Sequence, residues 1–298
     1  MNRRQFLGLG ACTVVGAAAA AGAGLFLLDE PTGTGHVSSA TSTPTTPSAA
    51  PTTTTTTTAP VTPASTTSGS FRSAARNGIE TAWMLHRPAS TTPLRPVIAL
   101  HGKGGNHSMV FDLGVEALLA QAIQNGTPPF AVVGIDGGDG YFHRRATGED
   151  SGKMVVDEII PLLATMGLDT SRVGFLGWSM GGYGSLLLGG QLGPQRTAAI
   201  AAVSPALWTS AGATAPGAFD GASDYNANDV FGRTAALADI PVRIDCGTSD
   251  PFYSAAQKFV SELTTPPSGS FSPGGHDGNY WHGQLIGELE FLGSNLAK

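Results

Sequence analysis

The stretch "GWSMG" at 177–181 decides how the folded part of the chain is interpreted. An apolar run at 172–178 ends directly before the serine, and a segment with helical spacing follows at 181–192. Ser179 is therefore predicted to lie on a sharp turn between a strand and a helix, where the flanking glycines are needed because side chains would clash with neighbouring backbone. Such a turn pushes the hydroxyl outward over the amino end of the helix, whose dipole favours negative charge. The pattern predicts a nucleophile at Ser179 and not a passive serine in a glycine-rich turn.

Short apolar runs alternate with segments of helical spacing along the rest of the chain. The predicted strands lie at 81–86, 96–102, 130–138, 172–178, 198–205 and 241–247. The predicted helices lie at 111–125, 153–166, 181–192 and 254–263. Runs that are apolar throughout are typical of strands buried on both faces. The alternation predicts an α/β fold with a mostly parallel central sheet, helices on both faces, and chemistry outside the carboxyl ends of the strands.

The first 70 residues differ in composition from the rest. Paired arginines at 3–4 precede an uncharged run at 6–28, which matches a twin-arginine export signal or, where it is not cleaved, a membrane anchor. The Thr-, Ser- and Pro-rich segment at 31–70 has no hydrophobic period and almost no charge, which predicts a disordered linker. We therefore expect an exported protein of the cell envelope or extracellular space, with a signal or anchor at 1–30, this linker, and one catalytic domain at 71–298.

Charge and cysteine content exclude several classes of function. The net charge is −6 and no basic cluster follows the first residues, which argues against a nucleic-acid partner. Only Cys246 lies beyond the predicted signal, so neither an intrachain disulfide nor a common zinc framework is expected. The glycine-rich stretches at 102–107 and 134–140 do not match nucleotide-binding fingerprints. No metal and no cofactor is predicted.

A catalytic serine needs a base that takes the proton of its hydroxyl. Two histidines follow the last predicted strand, in "SFSPGGHDGNYWHGQ" at 270–284. His276 is the favoured base because the preceding glycines allow its loop to reach over the sheet edge. His282 is predicted to lie on the closing helix as a surface or packing residue, and it remains the alternative base.

The acid that orients the histidine is expected at the end of the strand before it. The stretch "IDCGTSDPFY" at 244–253 offers Asp245 and Asp250. Asp250 follows a Gly-Thr-Ser turn and projects from the carboxyl end of the strand, so it is the favoured acid. Asp245 lies inside the strand, where a structural hydrogen bond is expected. The resulting order of serine, aspartate and histidine along the chain is the one that α/β-hydrolases have.

Backbone N–H groups are expected to stabilise the oxyanion that forms when a serine attacks an ester. The glycine-rich loop "LHGKGGNHS" at 100–108 follows an early strand, and Met180 directly follows the serine. The N–H groups of Lys103 and Met180 are the predicted pair of donors. The side chain of Lys103 need not take part, and His101 is expected to hold the loop.

Segments after two other strands provide candidate substrate contacts. The insertion at 205–233 carries Trp208, Phe219, Tyr225 and Phe231, which are predicted either to cap the acyl site or to anchor a long loop. The loop at 141–150 carries His143, which is predicted either to contact a carboxylate or sugar or to belong to an exposed charged loop. The candidate substrate-binding residues are Trp208 and His143.

Together, these motifs resemble the esterase branch of the α/β-hydrolases that includes esterase D-like enzymes and the antigen 85 mycolyltransferases. The matching stretches run from about residue 80 to the end, and they are "LHGKGGN", "IDGGDGYF", "VVDEIIPLL", "GWSMGGYGSLLL", "AVSPALW", "GTSDPF" and "PGGHDGNYW". The resemblance implies the α/β-hydrolase fold, a nucleophile at Ser179, a base at His276, and oxyanion donors at Lys103 and Met180. Mycolyltransferases use a glutamate where this chain has Asp250, which favours the hydrolase branch over the transferase branch.

The sequence thus predicts an exported serine carboxylic-ester hydrolase that works through an acyl-enzyme. The leader, the linker and the Ala- and Gly-rich composition resemble an actinobacterial envelope protein, so acylated lipid or glycan esters of the envelope are the expected substrates. Two alternatives remain: an acyltransferase that moves the acyl group to a sugar hydroxyl, and a non-catalytic envelope-binding module on the same fold. Membrane contact is expected only through an uncleaved N-terminal segment.

Overall fold

The computed structural model describes residues 62–298 of the protein. The predicted signal or anchor at 1–30 and the linker up to residue 61 lie outside the described residues. The first strand, β1 (Ser65–Ser73), begins before the predicted start of the domain at residue 71, and the end of the linker is corrected accordingly. The sequence does not predict β1, because this strand has no apolar run. It lies at the edge of the sheet with mostly exposed side chains and pairs through its backbone.

An eight-stranded sheet forms the centre of the described part. The further strands are β2 (Ile79–Arg87), β3 (Pro96–Leu100), β4 (Ala131–Ile135), β5 (Val173–Trp178), β6 (Thr197–Val203), β7 (Val242–Gly247) and β8 (Phe271–Ser272). Their spatial order is β1-β2-β4-β3-β5-β6-β7-β8; pairing is antiparallel from β1 through β2 to β4 and parallel elsewhere. All six predicted strands are present, and the predicted α/β fold with a mostly parallel sheet is confirmed.

Helices fill the connections between the strands. They are α1 (Met109–Asp112), α2 (Val115–Gln124), α3 (Ser151–Met154), α4 (Ile160–Thr165), α5 (Met180–Leu192), α6 (Ala222–Asn228), α7 (Tyr253–Glu262) and α8 (Gly278–Leu296), with a π-helical turn at Val155–Ile159 and 3₁₀ turns at Ala211–Ala213 and Phe231–Leu237. The predicted helix at 111–125 is split because Gly114, with a left-handed φ of 82°, lets the chain turn between α1 and α2. Within residues 62–298, no helix has the length and apolar character that crossing a bilayer requires.

Apolar side chains pack on both faces of the sheet, as predicted. Alternate residues of β3 show the division, because Ile98 and Leu100 belong to the buried cluster that includes residues of α4, α5 and α7. Val97 and Ala99 belong to the other cluster, with residues of α2 and α8. All four side chains are buried. The continuous apolar runs of the sequence follow from this burial on both faces.

The carboxyl ends of the parallel strands meet at one edge of the sheet. The loops after β3 and β4, the turn after β5, and the segments after β7 and β8 leave the sheet there. Ser179, Asp250 and His276 each follow one of these strands. The topology thus brings Ser179 and His276 together although 97 positions separate them in sequence.

Candidate active site

Ser179 occupies a strained turn between β5 and α5. Its φ of 54° and ψ of −115° lie in a region that residues with a side chain rarely adopt. A Cβ on Gly177 would overlap the carbonyl of Gly181, and a Cβ on Gly181 would overlap that of Leu100. Glycine is therefore required at both positions, for the steric reason that the sequence predicts. The turn leaves Ser179 at the carboxyl edge of the sheet and at the amino end of α5.

The structure brings Ser179, His276 and Asp250 into one hydrogen-bonded chain. Ser179 Oγ lies 2.9 Å from His276 Nε2, and His276 Nδ1 lies 2.7 Å from Asp250 Oδ2. Because an ionised carboxylate only accepts hydrogen bonds, Nδ1 carries a proton, and in the neutral ring Nε2 faces the serine as an acceptor. In this arrangement an imidazole can take the proton of a serine hydroxyl.

Asp250 has a buried carboxylate with a hydrogen bond at each oxygen. Its side chain is 0% exposed, Oδ2 accepts from His276, and Oδ1 accepts from the N–H of Phe252 at 2.8 Å. Burial opposes the charged form, but the hydrogen bonds outweigh burial and lower the pKa of Asp250 below its ordinary value. The carboxyl therefore stays charged, as a residue that orients an imidazole must.

The two alternative residues, His282 and Asp245, have other partners. His282 lies on α8, and its Nδ1 donates to the carbonyl of Leu113 at 2.9 Å. Asp245 is buried within β7, where it pairs with Arg243 at 2.6 Å and accepts the N–H of Ser270 at 2.9 Å. Both residues thus hold neighbouring elements in place, and the geometry favours the first choice for each role.

Among residues 102–105, in the loop after β3, one backbone N–H group has no acceptor in the described part of the chain. Of the four N–H groups at 102–105, three donate: Gly102 to the Met109 sulfur at 3.3 Å, Gly104 to Asp139 Oδ1 at 2.7 Å, and Gly105 to the Gly102 carbonyl at 2.9 Å. The N–H of Lys103 has no acceptor among residues 62–298, and neither does that of Met180 at the start of α5. These two are the predicted oxyanion donors, and both are available to a ligand at Ser179.

His101 holds the peptide group that carries the Lys103 N–H. Its ring is buried; Nδ1 donates to the carbonyl of Gly102 at 2.7 Å, and Nε2 accepts the N–H of Gly137 at 3.0 Å. Burial lowers the pKa of His101, which keeps the ring neutral with one donor and one acceptor. These contacts agree with the loop-holding role predicted for His101.

An open cleft of about 460 Å³ lies over Ser179. Its walls include the 102–105 loop, Met109, Tyr141, His276 and Trp281. The rings of Trp281 and Phe252 each pack against His276, with centroids 5.3 Å from the imidazole. Apolar surface thus surrounds the reactive groups, which suits the acyl part of an ester.

The insertion at 205–233 is anchored to the domain by most of its aromatic residues. Phe219 packs against Tyr183 on α5 with ring centroids 5.8 Å apart, and Tyr225 packs against Phe219 at 5.2 Å. Phe231 packs against Phe259 on α7, also at 5.2 Å. For these three residues the contacts agree with the anchoring alternative.

Trp208 lies beside the walls of the cleft. Its ring centroid is 5.5 Å from that of Phe252, which packs on His276, and 5.7 Å from that of Tyr141, which lines the cleft. Its backbone carbonyl accepts the hydroxyl of Tyr225 at 2.6 Å. Trp208 therefore packs against residues at the cleft and is held by Tyr225, but it is not among the residues that line the cleft, so its contact with substrate stays a prediction.

His143 is not at the cleft. Its side chain is 2% exposed, its ring stacks on Phe219 at 5.1 Å, and its Nε2 lies 3.3 Å from the carbonyl of Ala218. It lines a separate cavity of about 320 Å³ that does not include Ser179. The expected contact between His143 and substrate is therefore corrected, because its loop folds against the insertion at 205–233.

Sequence reasoning missed three residues of the cleft walls: Met109, Tyr141 and Trp281. Tyr141 and the following Phe142 both have positive φ, at 58° and 55°, which bulky side chains rarely adopt. A usable signal was present for Tyr141, because an aromatic pair directly after a strand-end run of glycines lies where chemistry is expected. Met109 and Trp281 gave no such signal, because helix residues of this type most often belong to the core.

Titratable groups of the described residues do not form a metal centre. Among residues 62–298, no three His, Cys, Asp or Glu side chains lie close enough together to hold a metal ion.

Cys246 is buried in β7, and burial raises the pKa of its thiol to about 12. A thiol with that pKa stays protonated at neutral pH, so it offers no nucleophile in competition with Ser179.

Comparison with known proteins identifies the family. The model of the family described as "Putative esterase" matches residues 78–292. None of the curated proteins matches the chain in sequence. Among similar solved structures, a ferulic acid esterase has 19% identity and a TM-score of 0.68, and the match covers 78% of this chain and 98% of that chain. Fluorophosphonate-binding serine hydrolase F of Staphylococcus aureus has 16% identity and a TM-score of 0.66, with 78% of this chain and 99% of that chain covered. MPT51 of Mycobacterium tuberculosis has 15% identity and a TM-score of 0.62, with 76% of this chain and 97% of that chain covered. At these identities the structural likeness shows the fold alone, whereas the family model covers most of the chain. The chain belongs to this esterase family and is a serine esterase with the α/β-hydrolase fold.

Proposed function

We propose that the protein is an exported carboxylic-ester hydrolase that works through an acyl-enzyme intermediate on Ser179. The observation that carries the proposal is the hydrogen-bonded chain from Ser179 through His276 to Asp250, with distances of 2.9 and 2.7 Å. Membership of the esterase family supports an ester as the substrate. One similar structure is named as a fluorophosphonate-binding serine hydrolase, which supports an activated serine in this chain as well.

Acylation begins when Ser179 Oγ attacks the ester carbonyl while His276 Nε2 takes the hydroxyl proton. The carbonyl oxygen becomes an oxyanion, to which the N–H groups of Lys103 and Met180 donate. Asp250 accepts the hydrogen bond from Nδ1–H, remains charged, and stabilises the imidazolium. The intermediate then collapses, the alcohol leaves with the proton from Nε2, and the acyl group remains on Oγ.

Deacylation repeats these steps with water. His276 Nε2 takes a proton from a water molecule that attacks the acyl carbonyl, and the same N–H groups hold the second oxyanion. Collapse releases the carboxylic acid and returns the proton to Ser179 Oγ. The amino end of α5, at Met180, favours the negative charge of both intermediates.

We extend the proposal to acylated lipid or glycan esters of the cell envelope as substrates. The apolar walls at Met109 and Trp281 suit the acyl group, and the open cleft leaves room for a bulky alcohol part outside it. The paired arginines at 3–4 support export to the compartment where such esters occur. In this proposal the membrane is a contact only if the run at 6–28 stays uncleaved.

An acyltransferase would use the same residues, with a sugar hydroxyl in place of water. Two observations favour hydrolysis: the open cleft gives water access to the acyl-enzyme, and the acid is Asp250, not the glutamate of the mycolyltransferases. Product analysis with and without an added sugar separates the two reactions. Free acid in both cases supports hydrolysis, and an acylated sugar as the main product would support transfer.

Mass spectrometry after incubation with a fluorophosphonate tests the assignment of Ser179. We expect one adduct, on Ser179, and none in Ser179→Ala. Turnover of p-nitrophenyl butyrate should fall by at least about 10³-fold in that variant with the fold intact. His282→Ala is the matched control for His276→Ala, and only the latter should lose turnover. Retained turnover in Ser179→Ala would overturn the assignment of the nucleophile. A folded protein that takes no adduct would instead favour the non-catalytic binding module.

Export is tested separately, with residues 1–70 fused to a folded reporter. We expect the reporter outside the cytoplasm for the native leader and retained inside when both arginines at 3–4 are replaced by lysine. Equal export of the two forms would contradict a twin-arginine signal.

A further inference from the structure

The loop after β4 is bonded to the loop after β3 at three successive points. The N–H of Gly137 donates to His101 Nε2 at 3.0 Å, and Asp139 Oδ1 accepts the N–H of Gly104 at 2.7 Å. Asp136 Oδ1 accepts both the backbone N–H and the ring Nδ1 of His107, at 2.7 and 2.8 Å. The loop after β4 thus holds the other loop on both sides of Lys103, whose N–H is the proposed oxyanion donor.

The peptide group before Lys103 has its direction set at its carbonyl end. The Gly102 carbonyl accepts from His101 Nδ1 at 2.7 Å and from the N–H of Gly105 at 2.9 Å. Because a trans peptide is planar, with its C=O and N–H pointing in opposite directions, fixing this carbonyl also fixes the N–H of Lys103. That N–H belongs to a residue that lines the cleft with Ser179.

The peptide group after Lys103 is held by Asp139 alone. Its N–H, from Gly104, donates to the Asp139 carboxylate and to no other acceptor among residues 62–298. Gly104 has a φ of 76°, and a Cβ built on it would meet nothing within 4 Å, so the space beside its Cα is open. Rotation would change ψ of Lys103 and φ of Gly104, both inside the turn that the Gly105–Gly102 hydrogen bond closes, and would so loosen the Gly102 carbonyl that sets the direction of the Lys103 N–H.

We infer that Asp139 is a positioning residue for catalysis, because its carboxylate fixes the Lys103–Gly104 peptide and thereby the oxyanion donor. The inference rests on the proposed function. Asp139 acts as a hydrogen-bond acceptor and not through its charge, since a negative charge close to a forming oxyanion disfavours it. An uncharged acceptor at the same position should therefore serve as well, and a side chain without an acceptor should not.

The test compares Asp139→Ala with Asp139→Asn in the full chain. For a soluble ester such as p-nitrophenyl butyrate, we expect Asp139→Ala to lower kcat about tenfold, less than the loss of a whole oxyanion donor, with KM within about twofold. The rate of fluorophosphonate labelling should fall by a similar factor, because the phosphonyl oxygen uses the same donors. Asp139→Asn should remain within about threefold of the wild type in both assays.

Asp239→Ala is the matched control, because it removes another exposed carboxylate, one that lies near the amino end of β7 away from the cleft. Its kcat should equal that of the wild type. Unchanged kcat in Asp139→Ala, or equal loss in Asp139→Asn, would overturn the inference. So would a loss of kcat accompanied by a matching rise in KM and a lower Tm. Ser179→Ala in the same assay keeps the two proposals apart, since its turnover tests the nucleophile independently of Asp139.

Discussion

Asp250 and Glu288 are both fully buried carboxyl groups near β7, and they differ in their hydrogen-bond partners. Asp250 accepts hydrogen bonds from His276 and Phe252, whereas neither oxygen of Glu288 has a partner among residues 62–298. The pKa of Asp250 is lowered by those bonds although burial opposes ionisation. Burial raises the pKa of Glu288 well above its ordinary value, and the nearby Asp245 raises it further. Burial alone thus neutralises a carboxyl, and a charged one requires donors built around it.

The largest effect is expected when the charge of Asp250 is removed and its shape is kept. Asp250→Asn can still accept the N–H of Phe252, but its amide no longer favours the Nδ1-protonated form of His276. We expect kcat to fall by about 10⁴-fold with an unchanged fold. Steady-state kinetics and thermal unfolding measure the two quantities.

Glu288→Gln is the matched control, because it converts the other buried carboxyl into an amide. Its kcat should stay within about twofold of the wild type. A loss of activity in Glu288→Gln, or a loss of only tenfold in Asp250→Asn, would break the contrast between a functional and a non-functional buried carboxyl.

The difference between the two carboxyls also shows what the sequence could predict. Asp250 was predictable because a strand-end position after a short polar turn exposes a side chain at the catalytic edge. Glu288 was not, because an acid on an amphipathic helix is ordinarily expected on the solvent face. Its burial depends on how α8 packs on β6 and β7, which a single chain's spacing does not specify.

The same distinction applies to the rest of the fold. The six apolar strands and the turn at Ser179 were predicted because local sequence determines them. The edge strand β1 was missed because it is polar and exposed, and the wall residue Tyr141 because its position depends on two strained loop residues. His143 was misplaced because packing of the insertion at 205–233, which has no regular pattern, decides its surroundings.

A smaller effect, on stability only, is expected from Glu288→Met. The substitution replaces two buried oxygens without partners by an apolar side chain of similar length. We expect the free energy of unfolding to rise by about 1–2 kcal/mol, because the desolvation penalty of the carboxyl is removed. Urea denaturation at pH 5, where proton release on unfolding adds little, measures it, with kcat as the check that the site is unaffected.

Glu290→Met, the same change two residues further along α8 at a partly exposed position, is the control and should change the free energy of unfolding by less than about 0.5 kcal/mol. Destabilisation by Glu288→Met would mean that the carboxyl makes a stabilising interaction in solution.

The same carboxyl should also make the pH dependence of stability differ between the wild type and Glu288→Gln. The folded-state pKa of Glu288 is raised, so its proton is retained in the folded chain and released on unfolding once the pH exceeds the ordinary pKa of about 4.5. Wild-type stability should therefore fall relative to Glu288→Gln as the pH rises above that value, at up to about 1.4 kcal/mol per pH unit.

Asp250 acts in the opposite direction: its lowered pKa gives stability above its unfolded pKa that is lost as the pH falls through the folded pKa. Its window lies below about pH 4, so urea denaturation of both proteins from pH 5 to 7 isolates Glu288. Parallel stability curves over that range would show that Glu288 is ionised in the folded protein, and the contrast between the two carboxyls would be lost.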